Sequence, residues 1–207
     1  MMNMMITKLG IVMFGIGAVA TTVIGQEIKV PAEVAPFIEA GAKAIAVESA
    51  DLNGDGRKDY VLVLHRDGVA KDTEDFPVDQ RPLLVLIRGA DGRLSIAKRN
   101  NKIVMCDQCG GVFGDPFEGI RVRRNSFTVD HYGGSNWRWK YEYQFNYSRI
   151  DQTWQLVRVK DVSYHTSNPN KMTTMYFTPP RDYGKINVEA FDPENYLNEK
   201  AKRRAEQ

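Results

Sequence analysis

The chain is poor in the residues that soft-metal and redox chemistry require. Of its 207 residues only two are cysteine and three histidine, and His65, His131 and His165 show none of the spacings of a zinc site. The sequence also lacks the Ser/His/Asp order of a hydrolase and a phosphate-cradling glycine loop. An excess of one charge is missing too: 28 Lys and Arg against 26 Asp and Glu leave a formal charge of +2, which argues against a nucleic-acid partner. Long hydrophobic runs are confined to the N-terminus. There Lys8 precedes an apolar run from Leu9 to Gly25, followed by Gln26 and Glu27. This layout predicts a secretory signal peptide over residues 1–25, cut before Gln26. A retained anchor is the rival, but the run falls short of the roughly 20 apolar residues that span a bilayer. No cysteine follows that would carry a lipid. The expected address is periplasmic or secreted, with no membrane span after cleavage. Cleavage removes one positive charge, Lys8, and no acid, so the formal charge falls from +2 to +1. The remaining chain suffices for one domain, expected over 26–197.

What the sequence does contain is an acidic, glycine-bearing loop that runs straight into a strand, Asp51-Leu52-Asn53-Gly54-Asp55-Gly56-Arg57-Lys58-Asp59 before Tyr60–Leu64. Hard cations such as calcium take six to eight oxygen ligands. Asp51, Asn53, Asp55 and Asp59 place oxygen side chains at positions 1, 3, 5 and 9, and Arg57 offers its backbone carbonyl at position 7. Gly56 occupies the sharp turn, where positive φ costs glycine little. An EF-hand would require Glu at position 12. Leu62 stands there, and a strand replaces the exiting helix. Loops of this kind also occur as plain Asx and glycine turns between strands.

The loop, the strand Tyr60–Leu64, the apolar run Leu83–Ile87 and the turn Ala90-Asp91-Gly92-Arg93 resemble, in that order, the calcium-binding FG-GAP and VCBS-type repeats of β-propeller blades. The resemblance covers about residues 45–97 and a single copy, whereas a propeller takes typically 4–8 blades. It implies bound calcium and a blade-like sheet in a secreted protein.

Downstream, Cys106 and Cys109 form a C-x-x-C. In an oxidising compartment a local disulfide is expected, contributing only about 2 kcal/mol because the loop is so short. A redox role would need the first cysteine at a helix N-terminus, and Gly110-Gly111-Val112-Phe113-Gly114-Asp115-Pro116 starts no helix. From Trp137 to Tyr147 every odd residue is aromatic and every even one polar, so a strand there carries six rings on one face. These rings are expected to line a half-buried sheet, with sugar stacking as the alternative. Trp154–Val162 reads as the returning strand, with a bulge where the apolar phase shifts between Leu156 and Val157. Further strands are expected at Ala44–Val47, Leu94–Lys98, Ile103–Met105, Phe127–Tyr132 and Thr173–Thr178, with a helical turn at Val34–Ala40, a polar loop between Arg66 and Arg81, and a fraying charged tail over 198–207.

These elements predict an all-β fold of antiparallel meanders in two packed sheets, one blade-like and one aromatic-rich over 127–178, with a short N-terminal helix. The functional expectation is a secreted, calcium-stabilised binding or interaction protein without catalysis of its own. Its partner would be another extracytoplasmic protein, met through a loop such as Gly110–Phe117, or a surface glycan. The alternative is a hydrolase of cell-wall or surface polysaccharide using Asp115 and Asp130 as acid and base, with His131, Trp137 and Trp139 nearby.

Overall fold

The computed structural model describes residues 28–66 and 81–206. The expected signal peptide and the expected polar loop between Arg66 and Arg81 lie outside the described residues. The architecture is all-β, in two antiparallel sheets. The first contains β1 (Ala42–Ala50), β2 (Asp59–Arg66), β3 (Leu83–Arg88) and β4 (Leu94–Asn100), in the order β1-β2-β3-β4. The second contains β5 (Phe117–Arg123), β6 (Ser126–Gly134), β7 (Trp137–Ser148), β8 (Thr153–His165) and β9 (Thr173–Phe177), also in sequence order. A four-stranded meander is the form of a propeller blade.

The central strands of the first sheet are apolar without alternation because both of their faces are covered. Val61, Val63, Leu83 and Val85 face the second sheet and pack in one core with Phe127, Val129, Tyr143, Phe145, Leu156 and Val159. Tyr60, Leu62, Leu64, Leu84 and Leu86 face the other way, onto Val34 and the half-buried Val30, Phe37 and Ile38. The N-terminal helix is a single 3₁₀ turn, Ala35–Phe37.

The aromatic alternation of β7 divides along the strand. Tyr143 and Phe145 are buried, Tyr141 and Trp139 are half-buried, and Trp137 is 64% exposed. Opposite β7 the register skips Val157, as Gln144 pairs with Arg158 and Phe145 with Leu156. The expected bulge is therefore present.

Three sequence expectations are corrected. Ile103–Met105 is no strand, although Ile103 and Val104 are buried in the inter-sheet core. β5 forms where no strand was expected, with Gly119 at φ 131° beside a register shift. The tail is helical: α1 (Glu199–Ala205) is capped by Asn198, whose side chain accepts from the Ala201 backbone N–H, and Ala201 is buried. A cap of this kind, with one docked face, holds a helix too short to persist alone.

Phe145 stacks on Phe127 at 5.1 Å between ring centroids and meets Phe191 edge-on at 5.5 Å. Phe145→Ala should cost about 3–5 kcal/mol in chemical denaturation. Ile150→Ala, at an exposed turn residue, should stay within about 0.5 kcal/mol of the parent.

Candidate functional site

The loop between β1 and β2 sits at the junction of the two sheets. Leu52 is buried in the inter-sheet core, and its carbonyl accepts from Trp154 Nε1 at 3.0 Å. The Asp51 carbonyl accepts from the Asn125 backbone N–H at 2.8 Å, in the turn between β5 and β6. With both ends of this anchor fixed, the chain beyond Leu52 must curl back. Gly54 and Gly56 take φ of 80° and 84° to do so, in the left-handed region that glycine tolerates.

The curl brings Asp51, Asp55 and Asp59 together, with one oxygen of each within 4.8 Å of the others. Asp51 Oδ1 accepts from Gly54 N at 2.8 Å and Oδ2 from Gly56 N at 3.1 Å. Asp55 Oδ1 accepts from Arg57 N at 2.9 Å, and its Oδ2 takes the Asn53 amide at 2.8 Å and Arg57 Nη2 at 2.6 Å. Asp59 is fully buried, and its two oxygens accept from Leu52 N and Arg88 N, each at 2.9 Å. Arg124 Nε lies 3.2 Å from Asp51 Oδ2.

The electrostatics differ along the loop. Burial pushes the Asp59 carboxyl up, its two backbone donors pull it back, and the neighbouring Asp55 and Asp51 charges push it up again. For Asp55, burial also opposes the charge, but the Arg57 N–H, the Asn53 amide and the Arg57 guanidinium hold its carboxyl below the ordinary range. Oxygens around one calcium lie up to roughly 4.6–5.2 Å apart, twice the metal–oxygen distance, so the spacing of the three carboxylates suits such an ion.

Comparison with protein-family models, curated proteins and solved structures finds no match.

A second polar cluster lies beside the cysteines, which are joined in a disulfide within a turn. Arg81 is 2% exposed. It donates to both Asp115 oxygens at 2.7 and 2.5 Å, to the Met105 carbonyl at 3.2 Å and from Nε to His65 Nδ1 at 3.2 Å. Burial opposes the Asp115 charge, yet Arg81 and the Phe117 N–H keep its carboxyl below the usual range. Asp130 points from the opposite face of β6 to His131 and is gripped by Arg121 at 2.5 and 2.7 Å. The two carboxyls nominated for glycoside hydrolysis are thus locked to different arginines, and Asp115 is held ionised, the wrong state for a general acid.

Sequence reasoning missed Trp154, Asn125 and Arg124 as supports of the loop, since each reaches it from a distant strand or turn. It also missed the partnership of Arg81 with Asp115, 34 residues apart.

A Cβ at Gly54 would meet Asn125 Oδ1 at 2.6 Å, whereas one at Gly56 meets nothing within 4 Å. Both substitutions pay the left-handed penalty of about 1–2 kcal/mol, so Gly54→Ala should lower the melting temperature further than Gly56→Ala. His131 is fully buried, and its Nε2 accepts from the Met105 N–H. Burial, then the Arg81 charge, push its pKa down to about 4 from the ordinary 6.5, against a smaller opposite pull from Asp115. The unfolded chain binds this proton more readily than the native one. Stability from His131 is therefore complete above pH 6.5 and is lost as pH falls to about 4, by an amount of order 3 kcal/mol. Denaturant titrations at both ends of that window should show a smaller pH difference for His131→Gln.

Proposed function

We propose that the chain is an extracytoplasmic, calcium-stabilised binding or interaction protein without catalysis of its own, in which one calcium ion fastens the joint between the two sheets. The observation that supports this reading is the convergence of Asp51, Asp55 and Asp59 in a loop whose start is pinned at Asp51 and Leu52 and whose end is pinned at Asp59. Asn53 and the Arg57 carbonyl complete the ligand set that the spacing suggests. The likeness of residues 45–97 to an FG-GAP or VCBS-type repeat agrees with this ion. So does the leader-like N-terminus, since extracellular fluid carries enough calcium to fill weak sites.

Calcium would take over charge now shared with Arg57 and Arg124, whose contacts with Asp55 and Asp51 it must displace. That competition points to a Kd of order 10⁻⁴–10⁻³ M, the range of extracellular modules. The partner would be another extracytoplasmic protein or a surface glycan.

The test is calorimetric titration of the chelator-treated protein with calcium chloride, together with thermal unfolding. At one hundred times Kd the ion should add about 2.7 kcal/mol of stability. Asp55→Asn should weaken calcium binding at least tenfold while leaving metal-free stability within about 0.5 kcal/mol, because Asp55 is a surface residue. No heat and no shift in melting temperature with calcium would remove the ion from the account.

A further inference from the structure

The buried acids among the described residues have a donor or a cation against them. Asp59 has two backbone N–H groups, Asp130 has Arg121, and Asp182 has Arg181 and Arg204. Glu142 has Arg121 and Lys160. The half-buried Asp161 has neither. It occupies an inward-facing position on β8, two residues beyond the fully buried Val159, with Tyr141 and Met175 as its cross-strand neighbours. Neither offers it a hydrogen bond or an opposite charge among the described residues, and burial pushes its carboxyl above the ordinary range.

Asp161 lines a half-open cavity of about 340 Å³ together with Tyr141, Tyr196, Met105, Leu197 and the buried Tyr143 and Phe177. No lining residue is basic, and the exposed Glu194 adds a second carboxylate. The rings are held by their own packing. Tyr141 and Tyr143 lie parallel within 8°, their centroids 6.1 Å apart, and Tyr196 meets Phe177 edge-on and tilts against Phe191. After burial, the Asp161 charge is the next cause that holds the Tyr141 and Tyr196 phenols above their usual range. The carboxylate and the rings therefore share one electrostatic environment. Aromatic faces carry negative potential and attract organic cations, and a half-buried carboxylate without a counter-ion is costly.

We propose that this cavity binds an organic ammonium group against the half-buried rings of Tyr141 and Tyr196, with Asp161 as its counter-ion. Its size suits a small headgroup, at the low end of ligand pockets. An inorganic cation would use the carboxylate and leave the rings idle. A neutral ligand would use the rings and leave the charge unpaired.

The test is calorimetric or NMR titration of the full mature chain in chelator, so that its outcome is separate from that of the calcium reading. The probes are tetramethylammonium, butylammonium and the uncharged 3,3-dimethyl-1-butanol, each against matched sodium chloride. At least one ammonium should bind ten times or more tighter than the alcohol, and the tighter of the two identifies the ammonium class. Asp161→Asn should weaken that binding at least tenfold, and Glu194→Gln by about twofold to threefold. Because Asp161→Asn removes an unpaired charge, it should melt no lower than the parent, which a purely structural carboxylate would not do. Equal binding of the alcohol, no binding of either ammonium, or unchanged affinity in Asp161→Asn would overturn the proposal. Should Asp161→Asn fail to fold, the comparison of cation with alcohol in the parent chain decides alone.

Discussion

The structure turns on a buried leucine at the start of an acidic loop. Leu52 has no exposed surface, and its carbonyl is held by the Trp154 indole from the other sheet. Burying that side chain favours one placement of the loop, since apolar burial is worth about 1.5–3 kcal/mol for a leucine. The acids on either side then have no freedom to separate. Asp59 is drawn below the surface with its oxygens on Leu52 N and Arg88 N, so it links the loop to the end of β3. Three carboxylates are brought within reach of one another by apolar packing, and the cost of their repulsion falls on whatever balances the charge. In the protein alone that role belongs to backbone N–H groups and to Arg57 and Arg124.

Those features of the chain that depend on neighbouring residues were legible in the sequence. The 1, 3, 5, 9 spacing is local, and it correctly brings Asp51, Asp55 and Asp59 into one cluster. The apolar runs of β2 and β3 and the ring alternation of β7 are local too, and the phase shift at Val157 announced its bulge. What sequence reading lost was set by distance or by weak pattern. β5 alternates poorly and contains Gly119, whose φ of 131° and register shift break the period. Ile103 and Val104 are apolar because they plug the core, and plugging needs no strand. α1 reads as a charged tail because its docked face is one alanine, a signal too small for any hydrophobic period to show.

The treatment of carboxylates follows from the same geometry. On the outer face of the five-stranded sheet, Asp130 and Glu142 are direct cross-strand partners, and Arg121 reaches both. Adjacent like charges on paired strands are unfavourable unless a cation bridges them, and the exposed side of a sheet leaves room for long basic side chains to do so. The inner face leaves no such room, so an acid placed there by alternation has rings for neighbours.

Strand length decides where that happens. β7 and β8 run for 12 and 13 residues, while β2 and β3 run for 8 and 6. At roughly 3.3 Å per residue the second sheet extends well past the first, and one sheet cannot cover the whole inner face of the other. The consequence is visible along a single strand: Phe145 and Tyr143 meet the opposite sheet, Tyr141 meets the C-terminal segment, and Trp137 meets solvent. Between full cover and none, the segment around Pro193–Leu197 closes over the rings incompletely and leaves the cavity that Asp161 lines. A shorter β8 would end before residue 161 and bury an ordinary apolar core. The extra length keeps β8 paired with β7 and β9 and buries Val162, and the surplus of inner face that comes with it leaves a partly covered aromatic surface.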